Sequence, residues 1–168
     1  AYLSMEGSRS RRDVASLFWG TTKDPLQGLR LALMQLNKEA GGAVQCLENK
    51  LWAEVQSDVS ELREALTQNK LEKALELYKG PFLEGFDAAD MGEELEEWLY
   101  HTRENLASQI REAHLELGER EAWQGDYDKA AKNGEAAYLL RYAPEPSPET
   151  LQRIYLLLQS GNSPHASS

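Results

Sequence analysis

This sequence predicts a mainly α chain with one small β-hairpin, divided into a charge-balanced first third and an acidic helical remainder. Three observations carry that reading. Apolar residues recur at helical spacing along most of the 168 residues, only residues 43–55 alternate instead, and Lys79-Gly80-Pro81-Phe82-Leu83 sets a hard stop in mid-chain. Proline cannot continue the helical ladder and disfavours helix in the residue before it, so Gly80-Pro81 must end whatever precedes them.

Charge divides the chain further. Residues 1–58 hold equal numbers of acidic and basic side chains, so the whole net charge of −10 falls on the remainder. A nucleic-acid surface is therefore expected in the first third, because the rest repels phosphate. Cys46 is the only cysteine, which rules out an intrachain disulfide and predicts a reducing cytoplasm. No run approaches the roughly 20 apolar residues of a membrane span, and Ala1-Tyr2-Leu3 is neither a basic start nor an apolar leader. The expectation is a cytoplasmic protein without a membrane partner.

Tyr2, Leu3 and Met5 read as the end of a helix closed by Gly7. Ser10 offers an N-cap with Asp13 three residues on, followed by the stripe Val14, Leu17, Phe18 and a stop at Trp19-Gly20. Asp24-Pro25 opens the next helix with a cap and a proline at its first position. Leu26, Leu29, Leu33, Leu36 and Ala40 form its predicted buried face, and Gly41-Gly42 ends it. Val44, Cys46, Leu51, Ala53 and Val55 alternate around Glu48-Asn49-Lys50, a hairpin with an Asn49-Lys50 turn. Helix, helix, helix, hairpin is the order of a winged helix-turn-helix, expected over residues 1–57.

Asp58 with Glu61 reads as a capping box opening a helix to about Gln68-Asn69, and Leu71, Ala74, Leu75 and Tyr78 share one face of the next. Phe82, Leu83 and Phe86 are apolar anchors for the following loop, with the helix carrying Trp98 and Leu99 as their expected floor. From about Met91 to Trp123 helical period holds for some 30 residues, long enough to serve two neighbouring hairpins. Gly125-Asp126-Tyr127 turns into a helix over 128–142, in which Ala130, Ala131, Gly134 and Ala137 permit close helix approach. Three prolines separate it from a last amphipathic helix, 149–159, and residues 161–168 are expected to form a flexible tail.

Leu117, Gly118, Gly125, Asp126, Tyr127, Ala130 and Ala137 stand at spacings that resemble a tetratricopeptide repeat, which implies a repeat domain over 58–160 with about two and a half helical hairpins. A wider resemblance rests on residues 74–83, on Trp98-Leu99, on Arg103-Glu104-Asn105-Leu106 and on Gly125-Asp126-Tyr127. Together they resemble the bacterial transcriptional activation domain of regulators of the SARP type, where it follows an OmpR-like winged helix. Residues 11–19 are similar to that family's second helix and residues 28–33 to its recognition helix. Before Ala1 the family's N-terminal strands and most of its first helix are missing, so the chain is expected to be a fragment.

The resemblance implies a DNA-binding regulator. Gln27, Arg30, Leu31, Met34, Gln35 and Lys38 lie opposite the leucines and would face bases in a major groove. Arg9, Arg11 and Arg12 near a helix start, with Asn49 and Lys50 in the wing, would contact phosphate. The implied partners are double-stranded promoter DNA, RNA polymerase or a basic or amphipathic peptide, and a second copy as homodimer. For the peptide, Glu112, Leu115, Glu119 and Trp123 are the predicted groove. The alternative is a protein-interaction module with a degenerate winged helix, since Leu31, Gln35 and Asn37 stand where the family usually carries arginines.

No chemistry competes with these readings. Glu93, Glu94, Glu96 and Glu97 open a helix, where negative charge complements the dipole. His101 and His114 lack partners at ligand spacing, and no phosphate loop or nucleophile elbow occurs. Trp98 and Trp123 read as core or repeat-interface residues. The expectation is a non-enzyme with neither cofactor nor metal.

Overall fold

The computed structural model describes residues 1–87 and 92–161. Residues 88–91, where the start of the long helix was expected near Met91, and 162–168 of the expected tail lie outside the described residues. The chain is mainly helical with one small antiparallel sheet, and its backbone separates into two compact units. The first comprises Ala1–Glu61 with Gly85–Tyr100, the second Leu62–Glu84 with His101–Ser168.

In the first unit, α1 (Tyr2–Glu6) ends at Gly7 and leads through β1 (Arg9–Ser10) into α2 (Arg11–Trp19). Ser10 caps α2 as its position predicts, its hydroxyl accepting from the Asp13 amide. Helix α3 (Pro25–Ala40) carries its cap on Asp24, which accepts from the Gln27 amide at 3.0 Å, and ends at Gly41 in the left-handed region, where a side chain would be strained. Strands β2 (Val44–Leu47) and β3 (Lys50–Ala53) pair antiparallel, with β3 central in the order β1-β3-β2. The two-residue strand β1 was not foreseen, because so short a segment shows no alternation. The hairpin turn is Glu48-Asn49 rather than Asn49-Lys50: the register pairs Leu47 with Lys50, and Glu48 takes a positive φ of 52°.

The core of this unit is Val14, Ala15, Leu29 and Leu51, flanked by Tyr2, Leu3, Phe18, Trp19, Leu33 and Val44. Burying a leucine of this kind contributes about 2 kcal/mol. Gly28 lets α2 and α3 meet: a Cβ there would stand 2.6 Å from Cδ1 of Trp19, so the indole occupies the space that any other residue would fill. The buried face of α3 is narrower than its spacing predicts. Leu26, Leu36 and Ala40 are exposed, because a helix of 16 residues spans about 24 Å and its ends outrun a core this small. Trp98 packs edge-on against Tyr2 at 5.0 Å and donates its indole N–H to Glu6. These contacts tie Trp98 to the first unit.

Helix α4 (Asp58–Thr67) is capped one residue earlier than Asp58 suggests: Ser57 and Ser60 exchange bonds, each hydroxyl accepting from the other's amide. Helix α5 (Leu71–Leu77) follows, and α6 (Glu93–Trp123) runs 31 residues, passing through Gly118 without a break. In the second unit α7 (Tyr127–Tyr138) and α8 (Pro148–Gly161) build a core with Leu115 of α6: Ala130, Ala137, Ile154 and Leu157. Here too the small residues are required. A Cβ on Gly134 would meet Cβ of Leu157 at 2.9 Å, and one on Gly118 would meet Cδ1 of the same leucine at 2.9 Å. Helix α7 stops at Tyr138 rather than 142. Buried Arg111 donates to the Ala137 carbonyl at 3.2 Å, an acceptor that a further helical turn would need, and to the Pro144 carbonyl at 2.6 Å in the segment that follows.

Candidate functional site

Two surfaces carry the residues that the sequence singles out, one in each unit. On α3, the burial of Leu29 and the indole over Gly28 fix which side faces inward, and the opposite side follows from helical geometry. Gln27, Arg30, Leu31, Met34, Gln35 and Lys38 are all exposed. Gln35 donates to Glu39 at 3.1 Å, while Arg30 and Lys38 make no hydrogen bond or ion pair among the described residues. Leu31 at 56% and Met34 at 62% exposure make the face partly apolar.

The predicted phosphate contacts gather where β1, the hairpin turn and the first turn of α2 meet. The Arg11 amide donates to the Asn49 carbonyl at 2.9 Å, and Ser10 pairs with Lys50 across the sheet. Arg12, Asn49 and Lys50 are exposed there. Two of the arginines are less available than the sequence implies. Arg9 is half-buried and ion-paired with Glu6 at 2.9 Å, its pKa raised first by its bond with Tyr2. Arg11 points a guanidinium N–H at the Cys46 sulfur, 3.1 Å away. That contact carried no signal in the sequence, since the two residues stand 35 positions apart.

On α6 the predicted groove needs correction. Leu115 is completely buried and cannot line it. Between Glu112 and Glu119, the residue in phase with both and with Trp123 is Glu116, about 40° around the helix from Glu112, whereas Leu115 lies about 60° off on the other side and turns toward α7 and α8. Trp123, expected in the core or at a repeat interface, is 92% exposed. Glu112, Ala113 and Glu116 form one wall of an open groove of 570 Å³ whose other wall includes Arg63, Thr67 and Leu71 of α4 and α5. A smaller depression beyond it is lined by Glu116, Glu119, Arg120 and Trp123.

The strip is less acidic than its sequence. Arg153 of α8 reaches across and grips both glutamates, Nε to Glu119 at 2.7 Å and Nη1 to Glu112 at 2.7 Å, which raises the pKa of the already basic guanidinium. Arg120 bonds Asn69 and stands 3.9 Å from Glu116. Among the described residues no cluster of three or more His, Cys, Asp and Glu side chains could hold a metal ion. No helix there is long and apolar enough to cross a membrane.

Comparison with protein-family models matches residues 43–148 to the bacterial transcriptional activator domain. The chain belongs to that family. The searches of curated proteins and of solved structures returned no match. Membership of the bacterial transcriptional activator domain implies a transcriptional-activator type of function. The matched span takes in the hairpin, α4 to α7 and the mid-chain stop. Within this activator domain, Arg103 secures the stop by donating to the carbonyls of Phe82 and Leu83 at 2.8 and 2.6 Å, so the loop after Pro81 is tied to α6 through backbone as well as side chain. Phe82 is buried as an apolar anchor should be, whereas Leu83 and Phe86, the other two expected anchors, are exposed.

Proposed function

We propose that the protein is a DNA-binding transcriptional regulator of SARP type. In this reading residues 1–57 are a winged helix, α3 enters the major groove of promoter DNA, and the β2–β3 wing lies along phosphate. Residues 58–160 act as tetratricopeptide-like repeats that contact a protein partner such as RNA polymerase. The role is regulatory rather than enzymatic, and cytoplasmic, with neither cofactor nor metal. The observation that carries it is the uncommitted outer side of α3, where Arg30 and Lys38 stand exposed beside Gln27 and Gln35 on a helix fixed from behind by Leu29 and Gly28. Arginine suits guanine and glutamine suits adenine in a major groove. The family match supports the activator part of the reading.

The test is titration of the chain into labelled mixed-sequence duplex at low and moderate salt. Binding that falls steeply with salt, and weakens at least fivefold in Arg30→Ala, is expected, because phosphate contacts release counterions and a base contact contributes about 1–3 kcal/mol. Salt-insensitive or absent binding would reject it.

A second reading is favoured by the exposure of Leu31 and Met34, which gives α3 a surface suited to protein. There the winged helix is a docking module. Leu31→Ser with Met34→Ser separates the two: it leaves non-specific DNA affinity nearly unchanged and abolishes a protein contact made by this face.

A further inference from the structure

Glu6, at the end of α1, has each of its carboxylate oxygens engaged by a different residue. Oε2 accepts from Nη2 of Arg9 at 2.9 Å, and Oε1 accepts from the indole N–H of Trp98 at 3.0 Å. Tyr2 lies one turn before Glu6 on the same side of α1. It too bonds the Arg9 side chain, and its ring stands edge-on to Trp98 at 5.0 Å. Arg9 therefore has two holders, and Trp98 touches both. A solvent-facing ion pair three residues apart contributes little by itself, because two long side chains give up freedom to make one contact. Here the indole fixes the carboxylate and the tyrosine ring beforehand, so the pair is already organised around the guanidinium.

Arg9 stands in β1 next to Ser10, which pairs with Lys50, and Arg12, Asn49 and Lys50 are exposed around that corner. A carboxylate offers a guanidinium the same pair of acceptor oxygens that a phosphate does. We propose that Glu6 is a built-in stand-in for phosphate, an autoinhibitory contact that withholds Arg9 from DNA as long as Trp98 holds it. This deepens the DNA-binding reading and rests on it. Control of the contact lies later in the chain: Trp98 is on α6, inside the span matched to the activator domain, whereas Tyr2, Glu6 and Arg9 precede that span. Drawing the indole away removes a hydrogen bond from Glu6 and a ring contact from Tyr2 in one movement, so both holders loosen together. The guanidinium then exchanges one anion for another and adds a phosphate contact to those of the wing.

Binding of a mixed-sequence duplex by the full 168-residue chain, over a series of salt concentrations, tests this. Glu6→Gln keeps an acceptor for the indole and loses the charge that holds Arg9. It should bind at least threefold tighter at low salt, and the slope of log K against log salt should steepen by about 0.9, the signature of one further phosphate contact. Arg9→Ala should stay within twofold of the parent, yet should erase the gain when combined with Glu6→Gln. Trp98→Phe keeps a ring against Tyr2, drops the N–H and alters no charge; it should shift affinity and slope in the same direction. A gain that survives Arg9→Ala is a general charge effect and overturns the proposal, as does a Glu6→Gln chain that binds like the parent. Absence of binding in every variant rejects the DNA-binding reading itself, and the proposal with it. The hold on Arg9 has its own readout: its side-chain N–H signals, assigned by their absence in Arg9→Ala, should exchange slowly with water in the parent and fast in Trp98→Phe. Equal exchange in the two would show that the indole holds nothing, and would overturn the proposal whatever the DNA result.

Discussion

The arginines of the two units lead different lives. In the second unit Arg103 and Arg111 hold backbone carbonyls, Arg120 bonds Asn69, Arg141 pairs with Glu84 at 2.6 Å and Arg153 grips two glutamates. In the first unit Arg12, Arg30 and Lys38 are exposed and have no bond among the described residues. The second unit engages most of its arginines in its own architecture, while its Lys70, Lys73, Lys79 and Lys132 stay at the surface like Arg12, Arg30 and Lys38 of the first. Counting basic residues misses this distinction; what matters for a phosphate ligand is how many are uncommitted.

Substitutions should fall on either side of that line. The largest effect is expected for Arg111→Ala, which strips two bonds from carbonyls next to a buried guanidinium whose pKa burial already lowers. A loss of about 3 kcal/mol by denaturant titration is expected, whereas Arg30→Ala should leave stability within about 0.5 kcal/mol. Equal losses in the two variants would break the comparison. Gly28→Val comes next: the indole of Trp19 must move, at about 1–3 kcal/mol, and the cost should appear as faster hydrogen exchange in α2 and α3 while α7 and α8 keep their protection.

The smallest effect concerns Asp126, the cap of α7, whose carboxyl is held below its ordinary 3.8 chiefly by the bond from the Lys129 ammonium. A lowered carboxyl pKa stabilises the fold above the unfolded value and loses that contribution as pH falls through the folded one. Asp126→Ala should therefore melt slightly lower than the parent at pH 7, and the two should converge below pH 3.8. A gap that persists in acid would show that the side chain acts by packing rather than by charge.

Local signals in the sequence were legible where the chain acts on itself. Ser10, Asp24-Pro25 and Gly41 mark helix ends by chemistry that operates within four residues, and the unbroken period from Leu95 gives the length of α6 nearly to the residue. Phase was harder. Leu115 and Glu116 differ by one position and lie about 100° apart around the helix, and only the helices packed against α6 decide which is buried. The Ser57–Ser60 exchange stands where the Asp58–Glu61 box was expected, and the Glu61 amide bonds the Ser57 carbonyl instead of the Asp58 side chain. The turn at Glu48 followed the strand register, not residue preference. On the candidate interface, the outer side of α3 could be read from its periodicity alone. The commitments of Arg9 and Arg11 could not, since their partners come from tertiary folding.

Leu157 touches the places where two separate helices lack a side chain, Gly118 and Gly134. Three positions far apart in the chain therefore make a single heritable character. Enlarging either glycine while Leu157 stays is a step downhill in fitness, and shrinking Leu157 alone opens a void. Lineages of this domain should cross between the two solutions by changing the leucine together with a glycine, leaving a covariation among these sites that no pair of adjacent residues would reveal.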